Sequence, residues 1–166
     1  MTSWEPHLRA LVAAAHTDLF PLLVYKADPP SATPWPEELP TSNEIRLFYS
    51  ICNGGYIGDF VWFSVDQLLS ETLEVIEAGT AFYEDGSDAL YPNRHLVLGR
   101  DAGGAPLIWD AETDLMATFF FAGGDWEPFD MAFGQFLTHL FTRAEQRDMW
   151  AEALEQLQTQ PGYDPS

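Results

Sequence analysis

Hydrophobic and polar positions follow a helical period in three separate segments of the chain. Residues 4–18 carry one apolar stripe, and residues 42–52 carry apolar side chains every three or four positions. In residues 65–78, apolar side chains fall on one half of a helical projection and Glu and Gln on the other. A period near 3.6 residues is typical of helices that bury one face, so these segments predict three amphipathic helices.

The helix ends carry their own signals. Thr41 with Glu44, and Ser64 with Gln67, have the spacing of a capping box, in which two side chains satisfy free backbone donors at a helix start. Asn53-Gly54-Gly55 predicts the end of the second helix, and Gly79 predicts the end of the third.

Short alternating segments predict strands in the middle of the chain. Residues 60–65 form one candidate, and residues 95–100, 106–110 and 115–121 form three more. Brief connections rich in Gly, Asp and Thr separate the last three, as antiparallel neighbours require. The expected fold class is therefore α+β, a single domain with an antiparallel meander sheet of about four or more strands packed against helices.

Apolar residues return at helical spacing near the end of the chain. They predict a fourth helix, and Thr142 with Glu145 predicts the start of a last helix reaching about residue 158. The residues marking the fourth helix are Phe129, Phe133, Phe136, Leu137 and Leu140.

The chain divides into three stretches within one domain. With 166 residues it is long enough for one compact core. Residues 1–38 hold the first helix and a proline-rich connecting loop, residues 39–141 hold the α+β core, and residues 142–166 hold the C-terminal helix and a short tail.

Composition argues against a membrane protein, a secreted protein and a cysteine-based metal site. No apolar run is long enough for a membrane span, and the first residues lack the basic and apolar regions of a signal peptide, so we expect a cytoplasmic protein. Cys52 is the single cysteine, which excludes an internal disulfide and a cysteine-based metal cage.

The charge balance is strongly acidic. Seven Lys and Arg stand against 26 Asp and Glu, giving a formal net charge of -19 at pH 7. Residues 59–130 hold fifteen of the acids and only Arg94 and Arg100 as bases. Nucleic acid is a poor partner for such a surface, because binding phosphate needs cations, whereas a basic protein suits it.

The acidic segments offer little support for metal binding. Residues 110–114 alternate oxygen ligands like the start of a calcium loop, but Leu115 stands where that loop needs glycine, so a hairpin turn is the better interpretation. No two histidines are spaced to meet on one helix face, which leaves zinc without local support.

The sequence gives as little support for catalytic residues as for metal ligands. Cys52 with His95 is a conceivable nucleophile and base, but Cys52 falls on the apolar arc of its helix, where a thiol packs as a small hydrophobe. Paired carboxylates arise by chance among so many acids. The sequence thus predicts no catalytic residue, no metal and no cofactor.

Aromatic residues next to acidic ones suggest a contact surface for a partner. Interfaces take their strongest contacts from aromatic anchors surrounded by charge, although such loop aromatics can equally fold back onto the core. The candidate partner-binding residues are Glu71, Glu74, Tyr83, Glu84, Asp85, Asp88, Tyr91, Asp125, Trp126 and Glu127.

The order of these landmarks resembles the SUKH superfamily, the Smi/Knr type of domain. Leu39-Pro40 precedes a helix that ends at Asn53-Gly54-Gly55, and residues 96–104 are similar to that family's glycine-bearing hairpin, followed by a hydrophobic strand ending at Asp110. Residues 133–137 are similar to its closing helix, so that the resemblance covers about residues 39–141.

The resemblance implies a meander sheet backed by helices and, for many bacterial members, an immunity protein that neutralises a polymorphic toxin. Together with the charge, it leads us to expect a binding protein that blocks a basic, nuclease-like toxin domain by steric and electrostatic occlusion. An intracellular regulatory scaffold that binds endogenous proteins is the alternative, and a carboxylate-dependent hydrolase is the third hypothesis. The oligomeric state does not follow from the sequence.

Overall fold

In the computed structural model, the described residues are 4–14, 26–82, 90–121 and 124–145, together with 155 and 159. They form four helices and one seven-stranded antiparallel sheet in a single-domain α+β arrangement, which confirms the expected fold class. Strand order follows chain order, so the sheet is a meander. The elements are α1 Glu5–Ala14, β1 Lys26–Ala27, α2 Asn43–Ile51, β2 Gly55–Ile57, β3 Phe60–Trp62, α3 Val65–Phe82, β4 His95–Asp101, β5 Pro106–Asp110, β6 Leu115–Phe120, β7 Asp125–Ala132 and α4 Phe133–Glu145.

The start of α2 differs by one residue from the sequence prediction. Ser42, not Thr41, is the N-cap, and its side chain accepts a hydrogen bond of 3.2 Å from the backbone N–H of Ile45. One half of the predicted box at α3 is present: Gln67 Oε1 accepts from the backbone N–H of Ser64 at 3.0 Å, whereas the Ser64 hydroxyl lies against Gln67 Oε1 at 3.2 Å.

Helix α3 does not end at Gly79. It continues to Phe82, and a Cβ at position 79 would lie 3.2 Å from the Leu90 side chain. The glycine therefore serves close packing against Leu90 rather than helix termination.

The last described elements also depart from the predicted pattern. Phe129 belongs to β7 instead of the fourth helix, and Thr142 lies inside α4, where its hydroxyl donates to the Thr138 carbonyl at 2.8 Å. The predicted final helix falls almost entirely outside the described residues.

The main core lies between one face of the sheet and three helices. Phe48 of α2 is its centre, with ring centroids 6.3 Å from Trp4, 5.1 Å from Trp62 and 5.8 Å from Phe133. All four side chains are at most 2% exposed. These contacts tie α1, α2, β3 and α4 into one apolar body.

Helix α3 lies on the opposite face of the sheet. Trp62 pairs with Gly99, and the neighbouring Val61 pairs with Arg100, so Trp62 and Arg100 point to opposite faces. Arg100 donates to Glu71 of α3 at 3.0 Å. Helices thus pack on both sides of β4.

Strand β7 closes the described sheet and contains a bulge. Ala117 pairs with Pro128 and Leu115 with Ala132, so three residues of β7 face one residue of β6. Asp130, inside this bulge, has a φ of 55°. The interruption turns Phe129 towards α4, where its ring lies 4.9 Å from that of Phe136.

Candidate functional site

A cleft of about 460 Å³ opens on the α3 side of the sheet, over β4 to β7. Its floor is a row of three cross-strand partners: Ile108 pairs with Ala117, and Ala117 pairs with Pro128. Ala117 is the smallest of the three, so the depression forms where its neighbours leave space.

Three aromatic rings line the cleft, those of Tyr91, His95 and Trp126. They belong to a continuous aromatic row that extends beyond the lining residues, with successive centroid distances of 6.1, 5.8, 5.2 and 5.1 Å. In order, the row is Tyr91, His95, Trp126, Phe119 and Phe121.

The contact between His95 and Trp126 spans two intervening strands. At a strand spacing of about 4.8 Å, the backbones of β4 and β7 in a flat sheet would stand about 14 Å apart. The rings nevertheless approach to 5.8 Å, so the sheet between them is not flat. Trp126 is supported from within the structure, because its cross-strand partner Phe119 is fully buried.

A tight turn holds His95 in one tautomer. The Tyr91 N–H donates to His95 Nδ1 at 2.9 Å, and the His95 N–H donates to the Tyr91 carbonyl at 2.7 Å. Because Nδ1 accepts, a neutral ring must carry its proton on Nε2. Burial lowers the pKa of His95, although Asp110 opposes the shift.

An ion-pair cluster forms the outer wall. Arg94 Nε and Nη2 donate to the two oxygens of Asp110 at 2.9 and 2.8 Å, and Arg94 Nη1 lies 3.1 Å from Glu112. Asp110 also accepts from the Glu112 N–H at 2.9 Å. Burial acts to raise the pKa of Asp110, but the hydrogen bonds from Arg94 and Glu112 outweigh it, and the pKa is lowered.

The described basic residues are nearly all neutralised. Arg46 alone among them has no ion pair; the others lie within 3.6 Å of a carboxylate, in the pairs Arg9–Glu5, Lys26–Asp28, Arg94–Asp110, Arg100–Glu71 and Arg143–Asp59. Ten exposed carboxylates have no ion pair to the described residues: Glu37, Glu38, Asp66, Glu74, Glu77, Asp114, Asp125, Glu127, Asp130 and Glu155.

The structure brings together two of the predicted partner-binding residues. Tyr91 and Trp126 both line the cleft and meet through His95. Trp126 lies in strand β7, which was not among the predicted strands.

The remaining predicted residues do not converge on the cleft. Glu71 is engaged by Arg100, and Glu74 is exposed on α3. Asp125 and Glu127 are exposed on β7, where strand alternation points them away from Trp126. The predicted residues Tyr83, Glu84, Asp85 and Asp88 lie outside the described part of the chain.

Ala117, Ile108 and Glu112 contribute to the cleft or its rim and were missed from the sequence. The feature that could have identified them is the pairing of three consecutive meander strands, because it places alternate residues of neighbouring strands side by side. Register has to be known before such a row can be assembled, and the sequence gives only approximate strand ends.

No family model matches this chain, and no curated protein matches it significantly. Within the described residues, no helix is both long and apolar enough to cross a bilayer, and no group of three or more potential ligands is placed to hold a metal ion.

Proposed function

We propose that this protein is an immunity-type inhibitor that binds a basic, nuclease-like toxin domain and occludes its active site. The observation that carries the proposal is the exposed, uncompensated negative charge on a surface that also contains an open aromatic cleft.

The charge supports a cationic partner. Internal ion pairs consume most described cations, so the excess carboxylates are left to act on the surroundings. A toxin that holds nucleic acid must itself carry a cationic surface, which is complementary to this one. Electrostatic steering of this kind raises association rates by about 10- to 1,000-fold at low salt.

The cleft supports tight binding after encounter. Exposed ion pairs contribute only about 0–1 kcal/mol each, so affinity has to come from buried anchors. Tyr91 is 47% exposed and stacks on His95, which limits the entropy lost when a partner covers it.

The polar groups of the cleft favour binding over turnover. Three of the roughly four acceptor positions of Asp110 are occupied, and His95 Nδ1 already accepts a hydrogen bond from the Tyr91 N–H. A general base needs a free lone pair directed at its substrate. Cys52, the other conceivable nucleophile, is fully buried, and burial raises its pKa to about 12.

Growth rescue tests the proposal directly. If an adjacent gene encodes a toxin domain, the protein is co-expressed with that domain, and the purified pair is measured by surface plasmon resonance. We expect rescue, a 1:1 complex, and an association rate that falls at least about tenfold between 0.05 and 0.5 M salt. Failure to rescue, or an association rate independent of salt, would contradict the mechanism.

A matched pair of variants tests the contribution of the cleft. Tyr91→Ala should weaken the complex at least about tenfold, as expected for an interface anchor. Phe120→Ala is the control, because Phe120 is also exposed, at 39%, but its partner in β7 is Asp125 rather than Trp126, which places it on the other face. Equal losses in both variants would argue against the cleft.

A further inference from the structure

We infer that the cleft receives a single apolar side chain of the partner, and that a neighbouring lysine or arginine of the partner pairs with Glu112. The inference rests on the proposed function for the existence of a basic partner, but its chemistry follows from the lining of the cleft itself.

The floor and one side of the cleft are apolar. Ile108, Ala117 and Pro128 form the floor, and Leu115, which is 39% exposed and pairs with Asp110, also lines the cleft. An incoming aliphatic or aromatic side chain would contact the carbon atoms of these residues, and its removal from water is favourable.

A cation does not suit the interior. The Arg94 guanidinium already lines the cleft, and both Asp110 oxygens are committed to it. A second guanidinium or ammonium would lose its hydration beside the Arg94 charge, where Asp110 has already used three of its roughly four acceptor positions.

An anion is equally disfavoured. The cluster contains one positive charge, on Arg94, and two negative charges, on Asp110 and Glu112, so its net charge is -1. The net charge of -19 adds a repulsive field around the cleft. An apolar side chain has no charge to lose hydration and is not repelled by the negative field, so it suits the cleft better than a cation or an anion.

Glu112 defines the position of the partner's cation. Its side chain is 68% exposed, and its Oε2 lies 3.1 Å from Arg94 Nη1. A cation beside the apolar anchor can therefore reach the carboxylate from solvent. The expected recognition element is an apolar residue with a basic neighbour.

Short peptides test the inference without any toxin. Each probe has two lysines on either side of a central leucine, alanine or aspartate, and binding to the full chain is followed by NMR from the Ala117 amide and the Trp126 indole N–H. We expect the leucine probe to bind about tenfold more tightly than the alanine probe, because the extra carbons leave water. The aspartate probe should bind more weakly than both.

Matched variants locate the binding to the cleft. Ala117→Leu fills the floor and should reduce binding of the leucine probe to the level of the alanine probe; Val61→Leu, on an exposed strand position outside the cleft, should leave it unchanged. Glu112→Gln should weaken both probes about two- to fivefold, the value of one exposed pair, whereas Glu77→Gln removes the same charge elsewhere and should weaken them less.

The outcomes separate the inference from the proposed function. Equal binding of the leucine and alanine probes to the unaltered protein overturns the inference, and this comparison does not depend on the folding of any variant. A toxin complex that Ala117→Leu leaves intact also overturns it but preserves the proposed function. Peptides that bind in the cleft of a protein unable to rescue growth support the inference and contradict the function.

Discussion

Thr72 makes an interaction whose removal should be measurable and specific. Strand β3 pairs with β4 only over Gly99 to Asp101, so it offers no backbone partner at Val97. The Thr72 side chain of α3 supplies one: its Oγ1 accepts the Val97 N–H at 3.1 Å. Both residues are fully buried, so water cannot replace the hydroxyl.

Thr72→Val keeps the shape of the side chain and removes the acceptor. The Val97 N–H is then buried without a partner, which costs about 1–3 kcal/mol of the free energy of unfolding. For a chain of this length, each kcal/mol lowers Tm by about 2–4 °C. The expected loss in Tm is therefore about 2–12 °C.

Thr72→Ser is the matched control. It keeps the hydroxyl and loses one methyl group, at a cost of about 1 kcal/mol. Urea denaturation gives the free energies, and amide hydrogen exchange at Val97 reports the bond itself: exchange should be slow in the unaltered protein and in the serine variant and markedly faster in the valine variant.

The reasoning is refuted if Thr72→Val is as stable as the unaltered protein and the Val97 amide stays protected. Val97 is two residues from His95, so the same variant should also loosen the start of β4 that positions the aromatic row.

Three further outcomes follow from the structure. A Cβ at Gly99 would overlap the Val61 carbonyl oxygen, so Gly99→Ala should cost about 1–3 kcal/mol in urea denaturation, while Gly103→Ala, in an exposed turn, should change stability by less than about 0.5 kcal/mol. Burial lowers the pKa of His95 in the folded state, so its stabilising contribution is present above about pH 6.5 and is lost as the pH falls below that value; His95→Gln should flatten the stability curve between about pH 7 and 5.5, and an unchanged slope would contradict this. Because burial raises the pKa of the Cys52 thiol to about 12, a disulfide reagent at about pH 8 should label Cys52 only when the chain unfolds, and rapid labelling of native protein would exclude the buried placement.

The sequence predicted the meander because its strong signals are local. Strand β5 was predicted at its observed bounds, and β4 and β6 to within one residue, since short turns rich in Gly, Asp and Thr separate apolar runs. The bond from the Ser64 N–H to the Gln67 side chain at the start of α3 has an equally local cause. These elements needed no knowledge of their neighbours.

The elements that were missed depend on partners elsewhere in the chain. Strand β1 has two residues and exists only because β2 pairs with it. Strand β7 contains Pro128 and several acids, which disfavour a strand, and Phe129 within it fits the spacing of the following helix. Gly79 has the usual signature of a helix end, and only the position of Leu90 explains why α3 continues.

Only part of the candidate site could be predicted, because some of its residues have local sequence signals and others depend on strand register. Aromatics beside acids indicated Tyr91 and Trp126, which do share the cleft. Ala117 carries no chemical signal of its own, and its importance comes from the register that sets it between Ile108 and Pro128.

The bulged strand β7 limits how any other molecule can join this fold. Pro128 has no N–H to offer, and the positive φ of Asp130 breaks the straight line of acceptors that an added strand would follow. Strand addition through the backbone does not depend on side-chain identity. Where β7 prevents it, a partner has to recognise individual side chains instead. Discrimination between related partners would thus reside in a few positions, each of which can change without disturbing the sheet beneath.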